Sequence, residues 1–246
     1  MSTVNVPALP SLHVLVRRED VDGSRLQGRV VVVIDVLFAT STIVHALATG
    51  AVSVYPAFDD VDARHAAAAR PGAVVAGEYL ARTLPEHAPA TPLALAACLG
   101  EGRELVYFTT NGTRAIAACI GAEAVYAGAL TNAAALAAHI ATAHPGSPVL
   151  LVCAGSVGRF CLEDFIGAGR LVRALRASGG YAPTDAALAA ALACGGADIG
   201  QLLSASRVGR MLSRAGLDDE IAHAADCDSS TVVPVLRDGV LVRAMA

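Results

Sequence analysis

Apolar residues in this chain fall into short β-branched or alternating runs, and stretches with helical spacing separate most of them. Strands that alternate with helices of about 10–15 residues are typical of βαβ units and a mostly parallel sheet. The runs predicted as strands are 12–16, 30–34, 52–55, 73–76, 105–108, 124–127 and 149–153.

The pattern changes to helices after residue 180 and returns to β structure near the end. Helices are predicted over 185–193, 199–204, 206–214 and 218–224. Two apolar runs then flank Asp238-Gly239, which is a hairpin signal, and Pro234 places that hairpin at a sheet edge. We therefore predict one three-layer α/β/α domain over 1–246, with a mostly parallel sheet, a helical subdomain at about 180–225 and a terminal β-hairpin.

The run Val30 to Ile34 is β-branched throughout and is typical of a strand buried on both faces. Asp35 follows it directly, and a hydroxyl cluster with Thr40 and Ser41 opens the next helix. Ligands of parallel sheets bind in the crevice at the carboxyl ends of the strands. Asp35 is therefore the first candidate site residue.

Composition and charge exclude several classes of protein. The chain is 54% hydrophobic with a net charge of −4 and no basic tract, which argues against a nucleic-acid partner. No uncharged apolar run reaches about 18 residues, and the first ten residues lack a basic segment followed by an apolar core, so neither a membrane span nor a signal peptide is expected. The six scattered cysteines form no CxxC pair, which indicates reduced, mostly buried thiols and a cytoplasmic protein.

The turn after the strand at 105–108 reads Thr109-Thr110-Asn111-Gly112-Thr113. Glycine permits a close backbone approach, and hydroxyls with an amide at a helix start favour binding of an anion such as phosphate. The alternative is a helix N-cap with an Asn-Gly turn. We consider Thr110, Asn111, Gly112 and Thr113 as candidate anion ligands.

A second such segment runs from Ala154 to Asp164. Gly155 follows a buried strand, and Arg159 could bind a phosphate or sulfonate through two hydrogen bonds. Glu163 and Asp164 fall in the first turn of the next helix, where acids also serve as simple caps. Farther along, Arg207 and Arg210 lie on one helix and form either a second anion site or a solvated face.

Asp35 and Glu78 each end a predicted buried strand. A buried carboxylate is costly unless it is paired or bound to a metal. Mg²⁺ takes one or two carboxylates and keeps several waters, so acids beside a phosphate loop suggest metal-assisted phosphoryl chemistry. The alternative is that Asp35 only caps its own turn.

These segments, in this order, resemble the 2-phosphosulfolactate phosphatase (ComB) family. The resemblance implies an α/β/α fold and Mg²⁺-dependent hydrolysis of a small anionic phosphate ester, 2-phosphosulfolactate, to sulfolactate and phosphate. Asp35, Glu78 and Asp164 would be catalytic, and the same three acids with Glu163 would hold the metal. A second group of residues would bind the substrate: Thr40, Ser41, Thr110, Asn111, Gly112, Thr113, Gly155, Arg159 and Arg207. The protein could form a homodimer, which the sequence does not decide.

The sequence departs from the family pattern at three places. Phe38 stands where the family usually has arginine, and both 79–82 and 89–92 differ from the usual glycine-rich and Gly-Asn-Ser-Pro segments. Leu37 stands where haloacid-dehalogenase phosphatases need a second acid, so Asp35 is interpreted as a metal ligand or water-orienting base. Three hypotheses follow: a phosphatase for the family substrate, a catalytically impaired binder of a small anion, and a phosphatase for a less anionic substrate.

Overall fold

The computed structural model describes residues 9–80, 82–196 and 198–245. The expected lack of a leader rests on residues 1–10, of which 1–8 lie outside the described residues, as does Ala81 in the altered 79–82 segment. The strands are β1 Ser11–Leu15, β2 Val30–Ile34, β3 Ser53–Ala57, β4 Val74–Tyr79, β5 Arg82–Thr83, β6 Glu104–Phe108, β7 Ala124–Gly128, β8 Val149–Cys153, β9 Ala182–Pro183, β10 Pro234–Arg237 and β11 Val240–Arg243. The α-helices are α1 Ala39–Ala48, α2 Asp60–Ala68, α3 Pro92–Leu99, α4 Gly112–Ala118, α5 Ala133–Ala143, α6 Leu162–Gly179, α7 Asp185–Cys194, α8 Ile199–Ala205, α9 Arg207–Arg214 and α10 Asp218–Ala225.

The described strands form one sheet in the order β5-β4-β6-β3-β11-β10-β7-β2-β8-β1-β9. On one side of the β10–β11 hairpin, β4, β6 and β3 are parallel. On the other side, β7, β2, β8, β1 and β9 are parallel. The predicted α/β fold with a mostly parallel sheet and flanking helices is thus confirmed.

The predicted edge position of the terminal hairpin is wrong. The hairpin lies in the middle of the sheet, where β10 joins β7 and β11 joins β3. Pro234 is tolerated there because it is the first residue of β10, and the pairing with β7 is a single register pair, Val235 with Tyr126. The first residue of a strand is one of the few sheet positions where proline is found.

The hairpin also reverses the strand direction between the two parallel groups. It is antiparallel to its neighbour on each side, and its own strands are antiparallel, so β3 and β7 run in opposite directions. A flat sheet would therefore place the carboxyl ends of the two groups at opposite edges. Helices α1 and α4 contact strands of both groups, which indicates that the sheet curves around them.

The core follows the two faces of the central strands. Even-numbered residues of β2, such as Val32, pack in one apolar cluster with α5, α6 and α7. The odd-numbered Val31 and Val33 pack in a second cluster with α1, α3 and α4. Since successive side chains of a strand point to opposite faces, an apolar residue at every position of β2 requires helices on both sides.

The segments between the main strands contain several short elements. Between β1 and β2 the chain forms two short 3-10 turns, Arg18–Asp20 and Gly23–Arg25. The long loop of 79–103 contains the two-residue strand β5, which pairs with the end of β4, and then α3. Two-residue strands carry no detectable period, so only the paired neighbour defines them.

The chain from α7 to α10 supplies the helices that cover one end of the sheet. Helix α7 packs against α6 and β1, and α10 packs against α3, α8 and α9. Among the described residues no single helix is both long and apolar enough to cross a membrane; α7 and α8 together meet that test by length and composition alone, with a bend of 107°. The division into a domain and a helical subdomain stays a prediction.

Gly169 on α6 lies at a close contact with α7. A Cβ at residue 169 would lie 2.1 Å from the backbone oxygen of Ala190 on α7. We expect Gly169→Ala to lower the free energy of unfolding by about 1–3 kcal/mol, because neither backbone can move without disturbing the core. Urea denaturation measures this change.

Gly200 on α8 provides the matched control. A Cβ there would meet only Asp198 Oδ1, at 3.5 Å, so Gly200→Ala should leave stability unchanged or raise it by up to about 1 kcal/mol through helix propensity. Equal denaturation midpoints for the two variants would contradict the proposed packing.

Candidate active site

A cavity of about 410 Å³ opens at the carboxyl ends of β2, β4, β6 and β8. Volumes of this size are typical of small-molecule sites. Its polar lining comes from the predicted segments and includes Asp35, Glu78, Thr110, Asn111, Gly155, Glu163, Asp164 and Arg207.

Asp35 is held in place by the loop that follows β2. Its N–H donates to Thr40 Oγ1 at 2.9 Å, and the same hydroxyl donates back to the Asp35 carbonyl at 2.9 Å. Ser41 Oγ donates to the Val36 carbonyl at 2.8 Å. Thr40 and Ser41, predicted as substrate ligands, are buried and are not among the residues that line the cavity. Their hydroxyls fix the backbone that carries Asp35.

Asp164 joins the ends of β2 and β8 from the first turn of α6. Its Oδ1 accepts a hydrogen bond from the Val36 N–H at 2.9 Å, and its Oδ2 accepts one from the Gly155 N–H at 3.0 Å. Gly155 has φ +68°, and a Cβ there would lie 2.8 Å from the Arg159 carbonyl oxygen, so glycine is required. The acid thus organises the site as well as lining it.

Glu78 binds the turn that was predicted to bind an anion. Its two carboxylate oxygens accept hydrogen bonds from the N–H and the hydroxyl of Thr110, at 2.6 and 3.1 Å. Thr110 Oγ1 also accepts a hydrogen bond from the Leu80 N–H at 2.8 Å. The Thr110 donors are therefore directed to a protein carboxylate, although the residue lines the cavity.

The rest of this turn joins the two parallel groups. Asn111 Oδ1 accepts a hydrogen bond from the Val157 N–H at 3.1 Å. A Cβ at Gly112 would lie 2.2 Å from the Cβ of Ala39 and 2.7 Å from Asp35 Oδ2, so only glycine permits this approach. Thr113 is buried, and its Oγ1 accepts from the Thr109 N–H at 3.0 Å. Gly112 and Thr113 support the cavity wall from behind.

The two predicted arginine ligands have different positions. Arg207, at the start of α9, lines the cavity, and its Nη2 lies 3.9 Å from the Cys161 sulfur. Arg159 is exposed and is not among the lining residues. The sequence could not separate them, because a side chain's direction depends on the tertiary placement of its backbone.

Burial and neighbouring negative charges raise the pKa of two of these acids, Asp35 and Asp164. Burial and then the negative charge of Glu78 raise the pKa of Asp35 to about 7. Burial and then the charge of Asp35 raise the pKa of Asp164 well above its ordinary range. Glu163 is only 3% exposed and adds to the negative charge at both sites. A carboxyl group titrates in this way when it is desolvated beside like charges.

The donor set of this acid cluster suits a hard cation. All of the candidate ligands are carboxylates, and Mg²⁺ needs only one or two of them when waters complete its shell. Within the described ranges, no three His, Cys, Asp or Glu side chains form a ready-made metal group. Asp164 and Glu78 already accept hydrogen bonds on both oxygens, so we expect Asp35 and Glu163 to be the better ligands.

Sequence reasoning missed Arg18 as a site residue. Its Nη1 donates to the carbonyls of Thr110 and Asn111, at 3.0 and 3.4 Å. Its positive charge also opposes the rise in the pKa of Asp35. No motif marks Arg18, because it lies in the short 3-10 turn Arg18–Asp20, which reaches the site only through the fold.

Much of the rest of the cavity lining is apolar. Phe38 is 8% exposed and forms part of this wall. The remaining apolar lining residues include Leu37, Leu80, Pro89, Val157, Val208, Met211, Leu212 and Leu217. The cavity therefore combines a cluster of acids with a largely apolar lining.

The fold and the cavity together define an α/β protein with an acid-lined ligand site at the ends of its strands. The family model described as 2-phosphosulpholactate phosphatase matches residues 15–239, a range that includes all the predicted site residues. The chain belongs to the 2-phosphosulfolactate phosphatase family, as its motifs predicted.

Three relatives illustrate the similarity, and each is named a probable 2-phosphosulfolactate phosphatase. The one from Symbiobacterium thermophilum is 35% identical over 226 residues, covering 89% of this chain and 96% of the relative. The one from Deinococcus radiodurans is 35% identical over 213 residues, covering 85% and 88%. The one from Gloeobacter violaceus is 36% identical over 221 residues, covering 87% and 92%.

Asp35 is expected to lower stability at neutral pH. With a pKa of about 7 in the folded state against 3.8 ordinarily, the native protein keeps a proton between these values that the unfolded chain has lost. Stability therefore falls as pH rises through this window and stays low above it. In EDTA at pH 8, we expect Asp35→Asn to raise the free energy of unfolding, by about 4 kcal/mol at most.

Denaturation at pH 8 and pH 4 checks the linkage, with the exposed Asp226 changed to Asn as a control. The gain from Asp35→Asn should shrink at pH 4, where the wild-type carboxyl is already protonated when folded. A gain of the same size at both pH values would contradict the assigned electrostatics.

Proposed function

We propose that this protein is a phosphatase that hydrolyses a small anionic phosphate monoester, with 2-phosphosulfolactate as its substrate and sulfolactate and phosphate as its products. The observation that carries the proposal is the meeting of Asp35, Glu78, Glu163 and Asp164 in one cavity at the strand ends. Membership of the phosphatase family supports it, as does the phosphatase name of the relatives.

Asp35 and Glu163 would hold a Mg²⁺ ion, with Glu78 and Asp164 adding negative charge behind them. When bound, the cation supplies charge neutralisation for the phosphoryl oxygens and lowers the pKa of a water. Asp35, fixed by the Thr40 hydroxyl, would orient the attacking water. Asp164 keeps the loops after β2 and β8 at a constant separation.

The part of the substrate remote from the phosphoryl group would meet Arg207. An arginine binds sulfonate or carboxylate oxygens through paired N–H groups. Arg18 supports the Thr110–Asn111 backbone from outside the cavity, and its positive charge reduces the repulsion between the acids and an anionic ester. The cavity lining contains four acids but only one arginine among the described residues. A divalent cation suits this site because it would neutralise part of the negative charge.

Phosphate release from 2-phosphosulfolactate tests the proposal. Wild-type protein with Mg²⁺ should release phosphate, EDTA should abolish release, and added Mg²⁺ should restore it. Asp35→Asn should lower kcat by roughly 10²-fold or more, because the carboxylate contributes to both cation binding and water orientation. The exposed Asp226→Asn variant should retain wild-type rates.

Calorimetry with the same ester separates hydrolysis from binding alone. Heat of binding without phosphate release under any metal condition would contradict the proposed hydrolysis and favour the impaired binder.

A second candidate substrate class is favoured by the apolar wall. Phe38 lies against the cavity where the family pattern has arginine, and it is joined there by Leu37 and Met211. An apolar ring desolvates a charged substrate group without compensating it. The wall therefore favours a phosphate monoester with an uncharged tail.

Phe38→Arg discriminates between the two substrates. We expect it to raise kcat/KM for 2-phosphosulfolactate by about tenfold and lower it for an ester with an aliphatic tail, because an arginine fork restores a cation for the sulfonate. Phe38→Leu, which keeps the wall apolar, should leave the preference unchanged. If Phe38→Arg leaves the ratio of the two kcat/KM values unchanged, the wall does not select the substrate.

A further inference from the structure

Glu220 on α10 is a buried acid outside the proposed chemistry. It is 5% exposed, and its carboxylate accepts three hydrogen bonds from another part of the chain. Oε1 accepts from Thr91 Oγ1 at 2.6 Å and from the Ala94 N–H at 2.9 Å, and Oε2 accepts from the Leu93 N–H at 2.8 Å. The acid thus binds the start of α3 from a helix nearly 130 residues later.

These bonds replace the usual local cap of α3. Thr91 is the N-cap residue, but its side chain makes no capping bond, and Pro92 occupies the first turn. The first N–H groups of a helix have no partner within it. Glu220 satisfies two of them and brings a negative charge to the positive end of the helix dipole.

The two helices joined in this way form different walls of the cavity. Thr91 and Ala94 line it from the α3 side, whereas Leu217 lines it from the residue before α10. Helix α10 also packs against α9, which carries Arg207. A change in the Glu220 contact would therefore alter the spacing between the walls.

The α3 side is itself fixed to the sheet. The Ala90 carbonyl, directly before Thr91, accepts hydrogen bonds from Tyr107 Oη at 2.7 Å and from Thr42 Oγ1 at 3.0 Å. Tyr107 belongs to β6 and Thr42 to α1. Since α3 starts from this anchored point, the Glu220 carboxylate connects α10 and α9 to the fixed part of the site.

We propose that Glu220 is a positioning residue that sets the spacing between the α3 wall and the α9–α10 wall, and so the placement of Arg207 against the substrate. This role rests on the proposed phosphatase function. Because the acids proposed to act on the phosphoryl group lie outside α3, α9 and α10, loss of the contact should weaken substrate binding much more than it slows the chemical step.

Two variants separate positioning from helix capping. Glu220→Ala removes both the contact between the walls and the cap. Adding Thr91→Asn to it restores a local cap without placing a charge in the cavity that Thr91 lines, because asparagine is a favourable N-cap residue and Thr91 already has extended backbone angles. The exposed Asp219→Ala on the same helix is the matched control. Each is measured for KM, kcat, Tm and hydrogen exchange.

We expect Glu220→Ala to raise KM about tenfold, with kcat within about threefold of wild type, and to lower Tm. The double variant should recover Tm and the protection of the α3 amides while KM stays high. Recovery of both Tm and KM would overturn the proposal, since Glu220 would then be a cap only. An unchanged KM in Glu220→Ala would overturn it as well.

Hydrogen exchange keeps this test distinct from the test of the phosphatase function. If wild type releases no phosphate from any ester, the proposed function fails, and exchange alone judges the contact. Faster exchange in α9 and α10 of the double variant, with α3 protected, supports the positioning role. Wild-type exchange in α9 and α10 overturns it.

Discussion

The site depends on the two hydrogen bonds that the Asp164 carboxylate accepts. This carboxylate accepts one backbone N–H from the loop after β2 and one from the loop after β8. Hydrogen bonds to a carboxylate are strong where water is excluded, so the two adjacent loops are held at a constant separation. The first of these N–H groups belongs to Val36, the residue directly after Asp35. The second belongs to Gly155, which begins the turn that leads to Arg159.

The buried acids of the site lower the stability of the folded protein. Asp35, Glu163 and Asp164 are each less than a tenth exposed, and their charges repel one another. A site selected for stability would replace some of them with neutral residues, and active sites commonly retain such unfavourable electrostatics because the chemistry uses it. A cation or a proton shared within the cluster offsets the repulsion, which links folding to ligand state and pH.

Much of the fold was readable from local patterns. The β-branched run of β2 gave its bounds correctly. Helix α3 begins at Pro92 and ends before Gly100, and these residue types are typical of the two ends of a helix. Asp59 caps α2 as its residue type predicts, through a hydrogen bond from the Asp62 N–H. Such elements are fixed by contacts between near neighbours, so a sequence pattern is sufficient. The hairpin was recognised for the same reason, but its position in the sheet was not.

By itself, the sequence determined the alternation of strands and helices, the polar segments at the strand ends and the membership of the family. Tertiary structure alone decided that the hairpin lies in the centre of the sheet and that the two parallel groups run in opposite directions yet meet at one cavity. It also decided that Arg207 and Phe38 line this cavity while Arg159 does not, and that Arg18 and Glu220 support it. The physical reason is that these outcomes depend on contacts between residues far apart in the chain, and residue type and spacing do not encode which distant backbone a side chain will meet.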